Sequence, residues 1–247
     1  MQVAPEKLQA SYYVQTAARY DEMHMADAED EHYTALQIID SISGLLGLRT
    51  FLDVGAGTGR AVLFLRREDR VVRGVEPVRS LIDQAVTKGL PEGDILCGSG
   101  QSLPFEDQSF DAVLECAVLH HVTDPASVVK EMMRVARRAI FLSDSNRFGQ
   151  GGTLSRLFKL ALCKTGLWGP FRYIQTGGKK YTISDGDGLA YSYSVYDSYR
   201  QLAGWADTIW FLPTKCCPNQ DSWLHPLLTA PQVLLCAMRT DASSAKS

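Results

Sequence analysis

The chain has 247 residues, of which 45% are hydrophobic and 21% charged, and its formal net charge is −3. That length can bury a core without disulfide support, and the composition is that of an ordinary globular protein. The mildly acidic balance, with no long basic run, argues against a cationic surface built for nucleic acid.

The opening MQVAPEKLQASYY lacks a basic-then-apolar leader pattern, and no run approaches the ~20 apolar residues of a membrane helix. Six cysteines, at 97, 116, 163, 216, 217 and 236, form no CxxC pair. Reduced thiols in the cytoplasm are the expectation, with no membrane partner. No His lies at ligand spacing from a Cys pair, so no metal is expected.

Residues 7–20 carry a weak helical pattern, and an acidic stretch follows to Asp30. Residues 32–46 place Leu36, Ile39, Ile42 and Leu46 on roughly one helical face. From there strand and helix alternate. Strands are predicted at 50–54, 71–75, 94–97, 110–115 and 139–143. Helices are predicted at 59–68, 78–88 and 125–137, the last with Pro125 in its first turn. This alternation implies a parallel sheet with helices on both faces. Residues 144–195 break the pattern, with one helix at 154–163. A helix near 196–204, a strand near 207–213 and a strand at 231–239 follow, before a tail, DASSAKS, that reads as disordered.

The run Phe51-Leu52-Asp53-Val54-Gly55-Ala56-Gly57-Thr58-Gly59-Arg60 joins the first strand to a helix. Glycine lets such a turn approach a ligand closely, and the following helix start offers free N–H groups. A dinucleotide fingerprint would need its third glycine at position 60, which is Arg. The second strand ends in Glu76-Pro77, where a carboxylate can accept both hydroxyls of a ribose. Then come Gly98-Ser99-Gly100-Gln101-Ser102-Leu103-Pro104-Phe105, Phe110–Glu115 and Leu119-His120-His121-Val122-Thr123-Asp124-Pro125.

Together these segments, over roughly residues 50–143, resemble the class I S-adenosylmethionine-dependent methyltransferases, in the type 11 branch similar to enzymes of ubiquinone and menaquinone biosynthesis. The resemblance implies a Rossmann-like, doubly wound, mostly parallel seven-stranded α/β sheet with helices on both faces. Residues 1–47 would form an N-terminal helical cap, 48–143 the cofactor-binding core, 144–195 a substrate-lid insertion after the fifth strand, and 196–239 a C-terminal helix and strand pair. It implies S-adenosylmethionine as cofactor, held by Asp53, Gly55, Ala56, Gly57, Thr58, Gly59, Glu76, Pro77, Ser99, Gly100, Gln101, Ser102, Glu115 and Cys116. The family usually has Asp where this chain has Ser99, and Arg137-Arg138 replaces the usual KPGG turn.

A hydroxyl acceptor needs a base near neutral pH. His120 and His121 after the fourth strand and Asp144 after the fifth are the candidates, with a His oriented by Asp144 as the base. The acceptor is expected under the N-terminal segment (Tyr12, Tyr13, Tyr20) and the insertion, where Arg147, Lys179 and Lys180 are available to an anionic group. The reading is methyl transfer to a hydroxyl or amine of a small metabolite by a monomer or homodimer. Two others stand beside it: a non-catalytic methyltransferase-fold partner subunit, and a protein or nucleic-acid methyltransferase.

Overall fold

The computed structural model describes residues 5–20, 31–215 and 225–240. The acidic stretch up to Asp30 and the DASSAKS tail lie outside them.

The first helix, α1 (Pro5–Thr16), continues as a 3-10 turn at Ala17–Arg19, and α2 (Glu31–Leu46) precedes the sheet. Strands β1 (Thr50–Val54), β2 (Val71–Glu76), β3 (Ile95–Cys97), β4 (Phe110–Cys116) and β5 (Ala136–Ser145) are joined through α3 (Arg60–Leu65), α4 (Arg79–Thr87) and α5 (Pro125–Val135). The insertion holds α6 (Thr153–Lys164), α7 (Trp168–Gln175) and a hairpin of β6 (Tyr181–Ser184) and β7 (Gly188–Tyr191). The chain then runs through α8 (Tyr199–Ala203), β8 (Thr208–Lys215), α9 (Pro226–Thr229) and β9 (Gln232–Met238). Among the described residues no helix is long and apolar enough to cross a membrane.

The main sheet has the order β3-β2-β1-β4-β5-β9-β8, with the first five strands parallel and β9 antiparallel to both its neighbours. This is the doubly wound α/β sheet expected. The strand order reverses between β1 and β4, which places a crevice at their carboxyl ends. Alternation along each strand divides the core between the faces. Phe51 and Phe141 join Leu36, Ile39, Val62 and Leu65 on one side. Leu52 and Ile140 join Val113, Val128, Val129 and Met132 on the other. With both faces buried, the strands read as near-continuous apolar runs.

Three elements depart from the sequence expectation. Helix α3 stops at Leu65 rather than 68, because Arg66 turns extended (ψ 131°). That turn lets Arg66 pair with Asp94, and Arg67 and Arg70 pair with Asp40. Helix α5 ends at Val135, and β5 begins at Ala136, three residues early. The pairing Phe110↔Ala136 followed by Ala112↔Ala139 is a bulge that accommodates Arg137 and Arg138, and Arg137 bonds Asp111 (3.1 Å) and Thr50 (3.2 Å). The insertion contains α7 and the hairpin besides the expected helix. Its two roots are joined by buried Asn146, whose amide donates to the carbonyls of Leu227 and Ala230 (both 2.8 Å) and whose oxygen accepts from Phe148 N and Ser194 Oγ (both 3.1 Å). A fully satisfied buried amide of this kind fixes local geometry.

Candidate active site

The turn after β1 takes the conformation its glycines permit. Gly55, Gly57 and Gly59 have φ of 78°, 53° and 81°, in the left-handed region that side chains avoid. Close packing adds to this: a Cβ on Gly55 would lie 2.4 Å from Val118, and one on Gly59 2.2 Å from Leu90. Gly55 N and Ala56 N both donate to the Val75 carbonyl (2.8 and 3.1 Å), which binds the turn to the end of β2.

Glu76 supports the same turn. Its Oε2 accepts from Gly57 N (3.0 Å) and its Oε1 from Val78 N (2.9 Å). The residue is 5% exposed. Burial pushes its carboxyl up to about 7, against the two N–H groups that favour the charged form. Burial likewise raises Asp53 to about 7, with Arg60 opposing and Glu76 adding to the rise. Ser99 is exposed, and its hydroxyl accepts from Gln101 N (3.2 Å). Gly100 lies so close to Val54 that a Cβ would approach it to 2.8 Å. The Ser99–Ser102 turn is thereby pressed onto the end of β1.

On the other side of the crevice, Glu115 is fully buried. Its Oε2 accepts from Val118 N (3.0 Å), while Oε1 has no protein partner. Burial, with Asp144 nearby, holds this carboxyl well above the usual range. Two residues on, Ala117 adopts φ 60°, and non-glycine residues in that region cluster at functional sites. Cys116 and Ala117 line a cavity of about 1120 Å³ that runs from Tyr20, Arg60 and His120 into the insertion.

His120 and His121 sit on a 3-10 turn, Leu119–His121, with ring centroids 3.9 Å apart. His120 Nδ1 lies 2.7 Å from Asp144 Oδ1, and Asp144 is buried at the end of β5. Burial alone would lower His120, but Asp144 and Asp187 outweigh it and raise the group to about 10. Asp144 in turn stays below the ordinary carboxylate value despite burial, because of His120. The far ring nitrogens of both histidines face the carboxylate of Asp187 (3.3 Å each). His120 thus stands between two carboxylates, Asp144 at its Nδ1 and Asp187 at its Nε2.

The N-terminal segment lies over the crevice. Tyr13 packs edge-on against both Tyr20 (5.7 Å) and His121 (5.9 Å). Tyr20 lies beside Gly57, where a Cβ would come 3.6 Å from its hydroxyl. Tyr12 does not line the cavity; it donates to the Asp185 carbonyl (2.8 Å) and so holds α1 to the hairpin turn. Gln9 does the same from the buried side, with Leu189 N donating to its Oε1 (2.6 Å).

The far end of the cavity is cationic and aromatic. Arg147, 8% exposed, pairs with Asp197 and stands 5.7 Å over the Trp168 ring. Lys159 donates to the carbonyls of Arg147 and Gln150 (3.0 Å each). Arg172 donates to Gln175 (2.6 Å), and its buried Nε has no partner. Burial lowers Lys159, and Arg156, Arg147 and Arg172 add to that. Lys179 and Lys180 are exposed and outside this cavity.

Sequence reasoning passed over Gln9, Lys159, Trp168, Arg172 and Asp187. The Asp185-Gly186 dipeptide, a hairpin-turn signal, was the one local mark that pointed toward Asp187.

Residues 52–141 match the family model described as a methyltransferase domain. Over 89 residues the chain is 37% identical to an uncharacterised methyltransferase of Mycobacterium tuberculosis, covering 36% of each chain. It is 35% identical over 89 residues to the demethylmenaquinone methyltransferase of Roseiflexus castenholzii, covering 35% of this chain and 37% of that one. The chain thus spans little more than a third of these curated relatives. In fold it is similar to the magnesium protoporphyrin IX methyltransferase of Synechocystis PCC 6803 solved with bound S-adenosylmethionine. The TM-score is 0.57 over 97% of this chain and 99% of that one, at 15% identity.

Proposed function

We propose that the protein, whose residues 52–141 match a methyltransferase-domain family model, transfers a methyl group from S-adenosylmethionine to a hydroxyl or amine of a small acidic metabolite. The observation that carries this reading is the pairing of a polar crevice with a large, partly covered cavity. The turn Asp53–Gly59, buried Glu76 and the unpartnered Glu115 Oε1 flank the strand-order reversal, and the 1120 Å³ cavity opens from the same place.

The residues fit the cofactor in kind. Asp53, Gly55–Gly59, Glu76 and Pro77 would hold its ribose and amino-acid portions together with Glu115 and Cys116, and Ser99–Ser102 its base. When bound, S-adenosylmethionine supplies an electrophilic methyl group on a sulfonium. The protein's part is positioning, which can supply much of the rate of such a displacement. The cover made by Tyr13 and Tyr20 keeps water from the crevice. Arg147, Lys159 and Arg172 receive the acidic group of the acceptor, and Trp168 gives its body an apolar face. In this reading His120, His121 and Asp144 border the acceptor's reacting end, and the thiols are those of a cytoplasmic protein.

Calorimetric titration with S-adenosylmethionine, and separately with NAD, tests the cofactor. Micromolar binding of the former alone is expected, and Glu76→Ala should weaken it about tenfold or more through lost charge-assisted hydrogen bonds. Unchanged affinity would overturn the ribose assignment. A screen with labelled methyl donor then tests the acceptor: acidic compounds should be methylated, and Arg172→Ala should raise their KM with little change in cofactor affinity.

A further inference from the structure

His120 and His121 meet Asp187 from 67 and 66 positions along the chain. Each imidazole has its near nitrogen committed to an oxygen that only accepts. His120 Nδ1 is 2.7 Å from Asp144 Oδ1, and His121 Nδ1 is 2.6 Å from the Leu189 carbonyl. A neutral imidazole has one N–H and one lone pair. Spending the N–H on these oxygens leaves each Nε2 lone pair aimed at Asp187, His120 at Oδ2 and His121 at Oδ1, both at 3.3 Å. Three acceptor groups therefore converge.

Two arrangements satisfy them. A proton on each Nε2 makes two imidazolium rings with centroids 3.9 Å apart, a contact between like charges. One divalent cation carries the same charge as those two protons and avoids the contact. We propose that His120 Nε2, His121 Nε2 and the Asp187 carboxylate form a binding site for a divalent transition metal of the zinc or iron(II) class, the ions that suit two imidazoles and one carboxylate.

Geometry and surroundings agree with this. Ligands at about 2.0–2.1 Å on a tetrahedral ion lie about 3.4 Å from one another, and the two His–Asp distances are 3.3 Å. The ligand atoms of all three residues fall within 4.8 Å of one another. Ligating histidines characteristically give their other N–H to a carboxylate or a backbone carbonyl, which fixes ring orientation; Asp144 and Leu189 fill those places. Gln9 holds the hairpin behind the site, its Nε2 donating to the Asp187 carbonyl (3.3 Å) and its Oε1 accepting from Leu189 N (2.6 Å). His120 and Asp187 both line the large cavity, so a remaining coordination position faces the acceptor, as in zinc sites that take an exogenous ligand.

The site stands independently of methyl transfer, and its test needs no turnover. The full chain, stripped with chelator and dialysed, is titrated calorimetrically with zinc chloride. Cobalt(II) is added in parallel for its visible absorption. One equivalent of zinc should bind, with intense visible bands of a four-coordinate cobalt ion. Asp187→Asn, on a side chain 45% exposed at a hairpin turn, should fold normally and lose zinc affinity at least 100-fold. Asp144→Asn should lose about 10–100-fold, as removal of an outer hydrogen-bond partner does. Failure of zinc, cobalt(II), iron(II) and manganese(II) to bind the wild-type chain would overturn the proposal. So would zinc binding that Asp187→Asn leaves unchanged, or nitrogen NMR showing both Nε2 atoms still protonated in excess zinc.

Discussion

Replacing Glu76 by Gln should change how stability depends on pH, not merely how stable the protein is. In the folded chain Glu76 keeps its proton up to about pH 7, because it is buried, whereas its ordinary value is 4.5. Between those values the folded state holds a proton that the unfolded chain has released, so stability falls as pH rises and the loss is complete above pH 7. At about 1.4 kcal/mol per tenfold, about 2–3 kcal/mol of this loss falls between pH 5 and pH 8. Gln has no proton to lose. It does carry a fixed penalty, because its amide accepts from only one of Gly57 N and Val78 N, at a cost of about 1–3 kcal/mol. That penalty is the same at both pH values and cancels from the comparison. Removing the Glu76 charge also eases ionisation of Asp53, which acts in the same direction. Urea unfolding of both proteins at pH 5 and pH 8, with matched m-values, gives the difference directly. The variant should gain about 2–3 kcal/mol on the wild type as pH rises from 5 to 8. A difference between variant and wild type that is the same at both pH values would refute the reasoning.

Other positions give sharper yes-or-no outcomes. Gly149→Ala brings a Cβ to 2.0 Å from the Ala230 carbonyl oxygen, where only backbone could give way; a loss of about 2 kcal/mol or more, seen as a fall in Tm of roughly 5 °C, is expected. Asp124→Ala removes the side chain that accepts from Ser127 N at the start of α5, and chemical denaturation should show a cost of about 1 kcal/mol. Ser99→Asp adds a stronger acceptor at the turn on the end of β1. It should tighten S-adenosylmethionine binding about fivefold by calorimetry, from one added hydrogen bond of about 1 kcal/mol.

What could be read in the sequence was what is encoded locally. The Gly55–Gly59 turn announces itself because its backbone angles demand glycine, and Glu76 because it ends a strand of standard length one helix later. The apolar runs of β1, β4 and β5 give the buried sheet for the same reason. The errors arose where a distant partner decides. Where Arg66 turns extended and ends α3, Arg66, Arg67 and Arg70 pair with distant Asp94 and Asp40, and the bulge opposite Phe110 draws Arg137, expected at the end of a helix, and Arg138 into strand. Helix α7 hid behind Gly169 and Pro170, which are tolerated because they fall in its first turn. His120 and His121 were visible as a pair, but their surroundings were not, since Asp187 and Leu189 arrive on a hairpin from a stretch with no clear period.

The latch between α1 and the hairpin also bears on the order in which the molecule assembles. Gln9 and Leu189 are 180 positions apart, and Tyr12 and Asp185 are 173 apart. Contacts that close so long a loop are slow to form. Neighbouring parallel strands such as β1 and β2 need only one intervening helix. The cover therefore settles onto a sheet that already exists, and it can lift away without disturbing the core, as a cooperative unit of low stability. The Leu189 amide, which donates to Gln9, is expected to exchange with solvent at the rate of that lifting, well before the amides of β4 and β5.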